Sequence, residues 1–305
     1  MNNKWNSFIS KLQKNKIYPF LYILPVIPFV LAYFFYPSIF SFILSFTSWT
    51  GIKLSKIDFI GIDNFIKLFQ DRIFLIALRN TILFVALTII IQNILGFVYA
   101  YLLHYGNMKG SKYWRAIIFF PVVLAPVIVA LIWRIILSKE GMINEILGKI
   151  GLEALQTTWL GNTVTPIFMV ILVNVWQNTG YNMVLFHAGL QTVPDELIEA
   201  AKIDGANIFQ VIRRVIFPLL TPVITVILVL SIIGGFKVFD IVYALTRGGP
   251  ANLSEVISTY MFYTAFAVKG PGDYGYASSI SIFLTIIIFV LSYLRIRFTR
   301  EEAGE

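Results

Sequence analysis

The chain has 305 residues and a formal net charge of +8; 58% of its residues are hydrophobic and only 13% are charged. A soluble domain carries about 25% charged residues. Together with a mean hydropathy of +0.79, this composition indicates an integral membrane protein and excludes an ordinary soluble enzyme. The chain contains no cysteine, so disulfides and thiolate metal sites are excluded, and its two histidines, His104 and His187, are too far apart in sequence to suggest a metal site.

Residues 1–16 hold several lysines and are expected to form a basic tail along anionic headgroups. Six uncharged stretches follow, each long enough to span a bilayer. They cover residues 17–52, 80–103, 116–133, 154–194, 215–236 and 274–294. Because these runs are apolar on all faces, they predict helices and not the alternating strands of a barrel. We therefore expect an all-α protein with six transmembrane helices, the first kinked or broken by Pro25, Pro28 and Pro37.

Lys and Arg residues near the helix ends predict the orientation. They concentrate in the N-terminal tail, the loop at 104–115, the connection between the fourth and fifth helices and the C-terminal end. Both termini are therefore expected to be cytoplasmic. The predicted organisation is a cytoplasmic basic tail at 1–16, the first transmembrane helix and an outer segment at 17–74, a transmembrane domain at 75–297 and a cytoplasmic tail at 298–305.

The connection between the fourth and fifth helices is polar and reads EAAKIDGANIFQVIRRVIFP, from Glu199 to Pro218. Pro194 and the acids after it suit the first turn of a helix. Gly205 suits the left-handed position after that helix ends, and Asn207 can cap the next one. The pattern predicts a helical hairpin on the cytoplasmic surface of the membrane.

The hairpin is acidic, which is unusual on a cytoplasmic face. Its acids are Asp195, Glu196, Glu199 and Asp204. The small side chains of Ala200 and Ala201 would let another surface approach closely. An acidic helix is a poor ligand for anionic lipid, so the composition favours a docking site for a soluble partner over a connector lying on the membrane.

A stripe of polar side chains runs along the predicted fourth helix. Its members are Asn174, Gln177, Asn178, Tyr181 and Asn182. At 100° per residue they fall within about 140° of one another. Amides do not face lipid, so the stripe either lines a path for a polar, uncharged solute or holds helices together. Sequence alone leaves both interpretations open.

Lys237 and Asp240, three residues apart after the fifth helix, are expected either to pair with each other or to contact the solute. The segment GNMKGSK, Gly106 to Lys112, lacks the spacing of a phosphate-binding loop. No catalytic constellation is recognisable, so we expect neither an enzyme nor a nucleotide site in this chain.

The connection resembles the EAA loop of ABC importer permeases, in this sequence residues 192–218. The matching positions are Glu199, Ala200, Ala201, Asp204, Gly205 and Ala206, followed by Ile216 and Pro218 as the hydrophobic-x-Pro element. Further segments resemble the carbohydrate-uptake subgroup, specifically first permease subunits of the maltose and glycerol-phosphate type. They are FIGIDNFIKLF (59–69), NVWQNTGYNMVLFHAGLQTVP (174–194), FDIVYALTRGGP (239–250) and YGYASSIS (274–281).

This resemblance implies the type I importer permease fold, a second homologous permease, two ATPase subunits and an extracytoplasmic solute-binding protein. ATP and Mg would be bound by the ATPases, leaving this chain without a cofactor. Glu199 would contact an ATPase, Gly205 would permit the turn, and Pro218 would end the hairpin. The solute is expected to be a mono- or oligosaccharide. The alternatives are another solute, such as a glycerol phosphate ester, or a self-contained secondary transporter, which the lack of intramembrane acids disfavours.

Overall fold

The structure is a computed structural model that describes residues 23–51, 57–106, 108–266 and 272–303. The predicted basic tail at 1–16 lies outside the described residues. Helices form nearly all of the regular structure in the described part. They are α1 Ile27–Leu44, α2 Asp63–Gln70, α3 Arg72–Tyr105, α4 Ser111–Val123, α5 Pro126–Ile136, α6 Met142–Lys149, α7 Thr165–Leu190, α8 Asp195–Ile203, α9 Ile208–Phe236, α10 Asp240–Leu245, α11 Ile257–Ala265 and α12 Tyr274–Ala303.

Four of these helices, α1, α3, α9 and α12, are long and apolar enough to cross a membrane. The pair α4 and α5 makes a fifth span if the two are counted as one bent element. Helix α7 has 26 residues, which is sufficient length, but its amides reduce its hydropathy. Helix α7 is buried on the side that faces the bundle, whereas Phe168, Leu172 and Trp176 on its other side are exposed.

The third apolar stretch, 116–133, does not form the single helix that its composition predicts. Helix α4 ends at Val123, α5 begins at Pro126, and the two are bent by 97°. Leu124 and Ala125 between them are extended. Proline disfavours the helical conformation at the residue before it and lacks an N–H for the helical hydrogen bonds, which favours a break at this point. Hydropathy reports apolar length and not direction, so it missed this bend.

Prolines widen two other helices without ending them. A π-helical turn, Leu31–Phe35, lies just before Pro37 in α1, and another, Ile212–Ile216, lies just before Pro218 in α9. In each case proline has no N–H, so one backbone hydrogen bond of the helix is missing. Pro218 therefore does not end the hairpin as expected, because the second arm of the hairpin and the fifth apolar span are one helix, α9.

Helices α3 and α7 form the centre of the bundle and share its most extensive contact. Gly96 permits their close approach, since a Cβ there would lie 2.8 Å from the Asn182 Cβ. An apolar cluster toward the hairpin includes Leu103, Phe186 and Leu190 together with Ile198 of α8. The hairpin is thus anchored in the core. A second cluster fills the opposite half of the bundle.

Candidate functional site

A cavity of about 400 Å³ opens between α3, the α4–α5 bend, α7 and the end of α9. All seven residues that the sequence suggested for a solute path line it. They are Asn174, Gln177, Asn178, Tyr181, Asn182, Lys237 and Asp240. We refer to this space as the amide cavity. Its volume falls in the range of about 300–1,000 Å³ that is usual for small-molecule sites.

Two of the amides are bonded across the wall between α3 and α7. The Gln92 side chain of α3 donates to the Asn174 side-chain oxygen at 3.0 Å and to its backbone oxygen at 3.2 Å. The Asn178 side chain donates only to the Asn174 backbone oxygen of its own helix, at 3.0 Å. Asn174 therefore joins α7 to α3, whereas the only side-chain hydrogen bond of Asn178 shown in the described part is to its own helix.

Gln177 is a structural residue. Its side chain is 4% exposed and donates to the Leu124 carbonyl at 3.0 Å. Leu124 lies in the break between α4 and α5, where the helical ladder leaves carbonyls without partners. The Gln177 amide hydrogen-bonds one of these carbonyls. Such a bond is needed in a membrane interior, because no water is present there to bond the carbonyl. One member of the predicted stripe thus stabilises the bend that forms part of the cavity wall.

Asn182 lies deeper, toward the hairpin. It is 4% exposed and its amide lies 3.4 Å from the Asn93 side-chain oxygen on α3. Tyr181, by contrast, is 43% exposed and lines the amide cavity. Both interpretations of the stripe therefore hold for different members. Gln177, Asn182 and Asn174 hold helices together, whereas Asn178 and Tyr181 remain available to a solute.

Lys237 and Asp240 do not pair with each other. Both belong to the described residues and are exposed, and the structure shows no ion pair between them. The expected pairing is wrong because Lys237 follows the last residue of α9 while Asp240 begins α10, so the two do not share one helical face. Both charges stand at the edge of the amide cavity.

Other lining residues were not predicted from sequence. They include Thr88 and Gln92 of α3, Leu124 and Pro126 of the bend, and Ser231 and Gly234 of α9. Gln92 could have been predicted from the sequence, because it interrupts a long apolar run next to Asn93. The glycine and the bend residues could not, because their role depends on which helices meet around the cavity.

The hairpin has the local geometry that its sequence predicts. Pro194 is the N-cap of α8, which begins at Asp195. Gly205 adopts a left-handed conformation with φ +78°, and its N–H bonds the Lys202 carbonyl at 3.1 Å. Asn207 caps α9 through a capping box with Gln210, with bonds of 3.0 and 2.8 Å. The predicted turn and cap are both confirmed.

The exposed surface of the hairpin combines charge with apolar side chains. Glu199 and Ala200 are exposed. So are Ile203 and Phe209, at 85% and 78%, on either side of the Gly205 turn. Sequence reasoning emphasised the acids and missed this apolar tip. Large apolar side chains at the tip of a polar hairpin are typical of an interaction surface.

At the end of the bundle opposite the hairpin, Asp71 joins three helices. It caps α3 through the N–H groups of Ile73 and Phe74 and accepts hydrogen bonds from the hydroxyls of Tyr260 and Tyr276. Burial alone would raise the pKa of Asp71, but these donors outweigh it and leave the pKa below its usual value. The carboxylate stays charged and fixes α11 and α12 against the start of α3.

Comparison with known proteins agrees with this architecture. The family described as "Binding-protein-dependent transport system inner membrane component" matches residues 92–300. The chain is 36% identical to the probable ABC transporter permease protein YurN of Bacillus subtilis, over 96% of this chain and 100% of that protein. It is 33% identical to the trehalose/maltose transport system permease protein MalF of Thermococcus litoralis, over 97% and 99%.

The fold is also similar to a solved bacterial ABC transporter involved in the import of the acidic polysaccharide alginate. The TM-score is 0.78 with 23% identity, covering 97% of this chain and 99% of that one. The family match covers more than half of the chain and two relatives exceed 30% identity over almost its whole length. The chain therefore belongs to the family of binding-protein-dependent transport system inner membrane components, as a multi-pass permease of the ABC transporter class.

Proposed function

We propose that this chain forms half of the translocation pathway of an ABC importer for a mono- or oligosaccharide, paired with a second homologous permease. The amide cavity is the observation that carries the proposal. The Asn178 amide, which bonds only its own helix, and the Tyr181 hydroxyl suit a solute with hydroxyls. Tyr181 also offers an aromatic face to the apolar side of a sugar ring. The trehalose/maltose relative supports the same class of solute.

The main alternative solute is an anion such as a glycerol phosphate ester. An anion needs a basic partner, and Lys237 is exposed at the edge of the cavity. Asp240 stands at the same edge and would repel the anion. A neutral solute has no such conflict, which favours the sugar.

Coupling to ATP would take place at the hairpin. Glu199, Ala200, Ala201, Asp204, Gly205 and Ala206 form its first arm and turn, and the apolar tip of Ile203 and Phe209 flanks that turn. A separate ATPase, which holds ATP and Mg, would receive this surface. Closure of the ATPases would move the hairpin and open the pathway to the other side. In this arrangement the chain catalyses no reaction itself.

The topology follows from the same assignment. The hairpin and both termini would be cytoplasmic, with α7 counted as a span and α4–α5 as a broken one, giving six crossings. The opposite end, held together around Asp71, would receive the solute-binding protein after which the family is named. A self-contained secondary transporter would leave the apolar hairpin tip and the family match without a role.

Uptake into cells that carry or lack this chain tests the solute. Labelled monosaccharides, disaccharides, longer oligosaccharides and glycerol 3-phosphate are supplied one at a time, and a Lys237→Gln variant is measured beside a Lys139→Gln control from an exposed loop. We expect chain-dependent uptake of a saccharide, changed less than about threefold by Lys237→Gln. Chain-dependent uptake of glycerol 3-phosphate that only Lys237→Gln abolishes would contradict the sugar and support the ester.

A further inference from the structure

Four polar side chains meet where α7 approaches the hairpin. They are His104 of α3, Arg115 of α4, His187 of α7 and Gln191, the residue after α7, and we call them the base cluster. The two histidine rings, 83 positions apart in sequence, lie 5.5 Å from centroid to centroid. Arg115 Nη2 lies 2.7 Å from His187 Nε2, and His187 is only 7% exposed. None of the four lines the amide cavity, and the neighbouring Phe186 and Leu190 belong to the apolar cluster at the base of the hairpin.

The contact between Arg115 and His187 defines the state of the imidazole. Arginine has only donors, so the facing Nε2 of His187 must accept, and the imidazole must be neutral with its proton on Nδ1. Protonated His187 would place two cations 2.7 Å apart. The bond between α4 and α7 therefore exists only while His187 is neutral.

Two further contacts join α4 to α7 between the base cluster and the amide cavity. A Cβ on Gly180 would collide with the Ile118 carbonyl of α4, so the two backbones touch there. Gln177 then bonds the Leu124 carbonyl where α4 ends. From His187 to Gln177 the axial distance is about 15 Å at 1.5 Å per residue. The two helices are joined along this whole length.

This pair of helices connects the two functional surfaces. Helix α7 ends at Leu190, five residues before the hairpin helix α8 begins, and it carries the amide stripe at its middle. Helix α4 ends in the bend that closes one side of the cavity. A displacement of the hairpin reaches the bend only if α4 moves with α7, and Arg115–His187 is the polar contact nearest the hairpin.

We propose that His187 and Arg115 are positioning residues that make α4 follow α7 when the hairpin moves, so that ATP-driven motion reaches the cavity wall. The inference rests on the proposed function. It differs from a purely structural role because another acceptor at position 187 should restore the coupling. Besides Arg115, the titratable groups around His187 are His104 and the neighbouring Tyr105, which interacts electrostatically with Asp195. None of them offers His187 a carboxylate that would offset a positive charge.

The acceptor role distinguishes two substitutions at position 187. A His187→Gln variant keeps an acceptor for Arg115. A His187→Ala variant removes the acceptor.

The first experiment measures solute uptake per ATP hydrolysed by the complete transporter in proteoliposomes. We expect His187→Ala to lower this ratio at least threefold at pH 7.5 while ATP hydrolysis continues, and His187→Gln to restore it. An unchanged ratio in His187→Ala, or a ratio in His187→Gln as low as that in His187→Ala, would overturn the proposal.

A second experiment tests the contact without any transport activity. Because the chain has no cysteine, spin labels can be placed at Lys112→Cys on α4 and Ala188→Cys on α7, both exposed. We expect the distance distribution at pH 7.5 to broaden in His187→Ala and to stay as in wild type in His187→Gln. The same distribution in wild type and His187→Ala would refute the contact. If the distances respond but no solute is transported by wild type, the proposed function fails and the contact stands.

Discussion

The hairpin and the amide cavity are built in opposite ways. The hairpin is local: within 17 residues, from Pro194 to Gln210, it contains its own N-cap, its left-handed glycine and its capping box. The cavity is assembled from α3, α7, the α4–α5 bend and the end of α9, which lie up to about 150 residues apart in the chain. Single substitutions in the hairpin should therefore act at the surface, while those around the cavity should divide between function and folding.

The amide stripe shows this division within a single helix. Gln177 satisfies a carbonyl at the helix break, whereas Asn178, one position along, bonds only its own helix. Residues that look equivalent on a helical wheel thus have different roles, which depend on what the neighbouring helix leaves unsatisfied. The predictions below separate these roles, from the largest expected effect to the smallest.

Replacing Asn178 and Tyr181 by leucine should abolish function and leave the fold intact. Neither side chain forms a hydrogen bond to another helix in the described part of the chain, so assembly is preserved, while the cavity loses the Asn178 amide and the Tyr181 phenol. We expect uptake of the transported saccharide to fall at least tenfold with an unchanged amount of chain in the membrane. Phe168→Leu, on the exposed side of the same helix, is the matched control. Unimpaired uptake by the double variant would mean that the whole stripe is structural.

Gln177→Leu should act on stability instead. It leaves the buried Leu124 carbonyl without a partner, at a cost of about 1–3 kcal/mol. We expect a lower thermal midpoint in detergent for Gln177→Leu and a much smaller change for Asn178→Leu. Equal midpoints for the two variants would contradict the division of the stripe.

Gly205→Ala should have the smallest effect. The φ of +78° costs an L-residue roughly 1 kcal/mol, but a Cβ there meets no atom within 4 Å. The expected result is a slightly weaker association with the ATPase and an unchanged thermal midpoint of the bundle.

Gly180→Ala, in which the Cβ collides with the Ile118 carbonyl of α4, should by contrast lower the midpoint clearly. A Gly205→Ala chain that unfolds as readily as Gly180→Ala would show that the hairpin is not a local element.

The difference between the two regions explains how much the sequence could predict. The Gly205 turn and the Asn207 cap follow from nearest neighbours, so they were predicted correctly. The amide stripe follows from helical periodicity, which identified its members and their common face. Whether an amide faces a solute or a carbonyl depends on the neighbouring helix, which periodicity does not report.

Three further features depended on tertiary context. The bend at Leu124 arises from Pro126, but a proline pattern does not give the angle or the helix that stabilises it. The apolar tip of Ile203 and Phe209 looked like an ordinary amphipathic pattern until the buried face of the hairpin was known. His104 and His187 meet only because α3 and α7 pack side by side. Their separation of 83 positions in the sequence gave no reason to expect this contact.

The central claim is that the hairpin docks an ATPase, and a pull-down of the tagged chain from its native membrane in mild detergent tests it most directly. Wild type, Glu199→Arg and the control Glu153→Arg, an exposed acid far from the hairpin, are compared by identifying every protein recovered. The account predicts a second permease with all three chains, and an ATPase with wild type and Glu153→Arg that is lost with Glu199→Arg. Recovery of the chain alone, even after cross-linking, would contradict it.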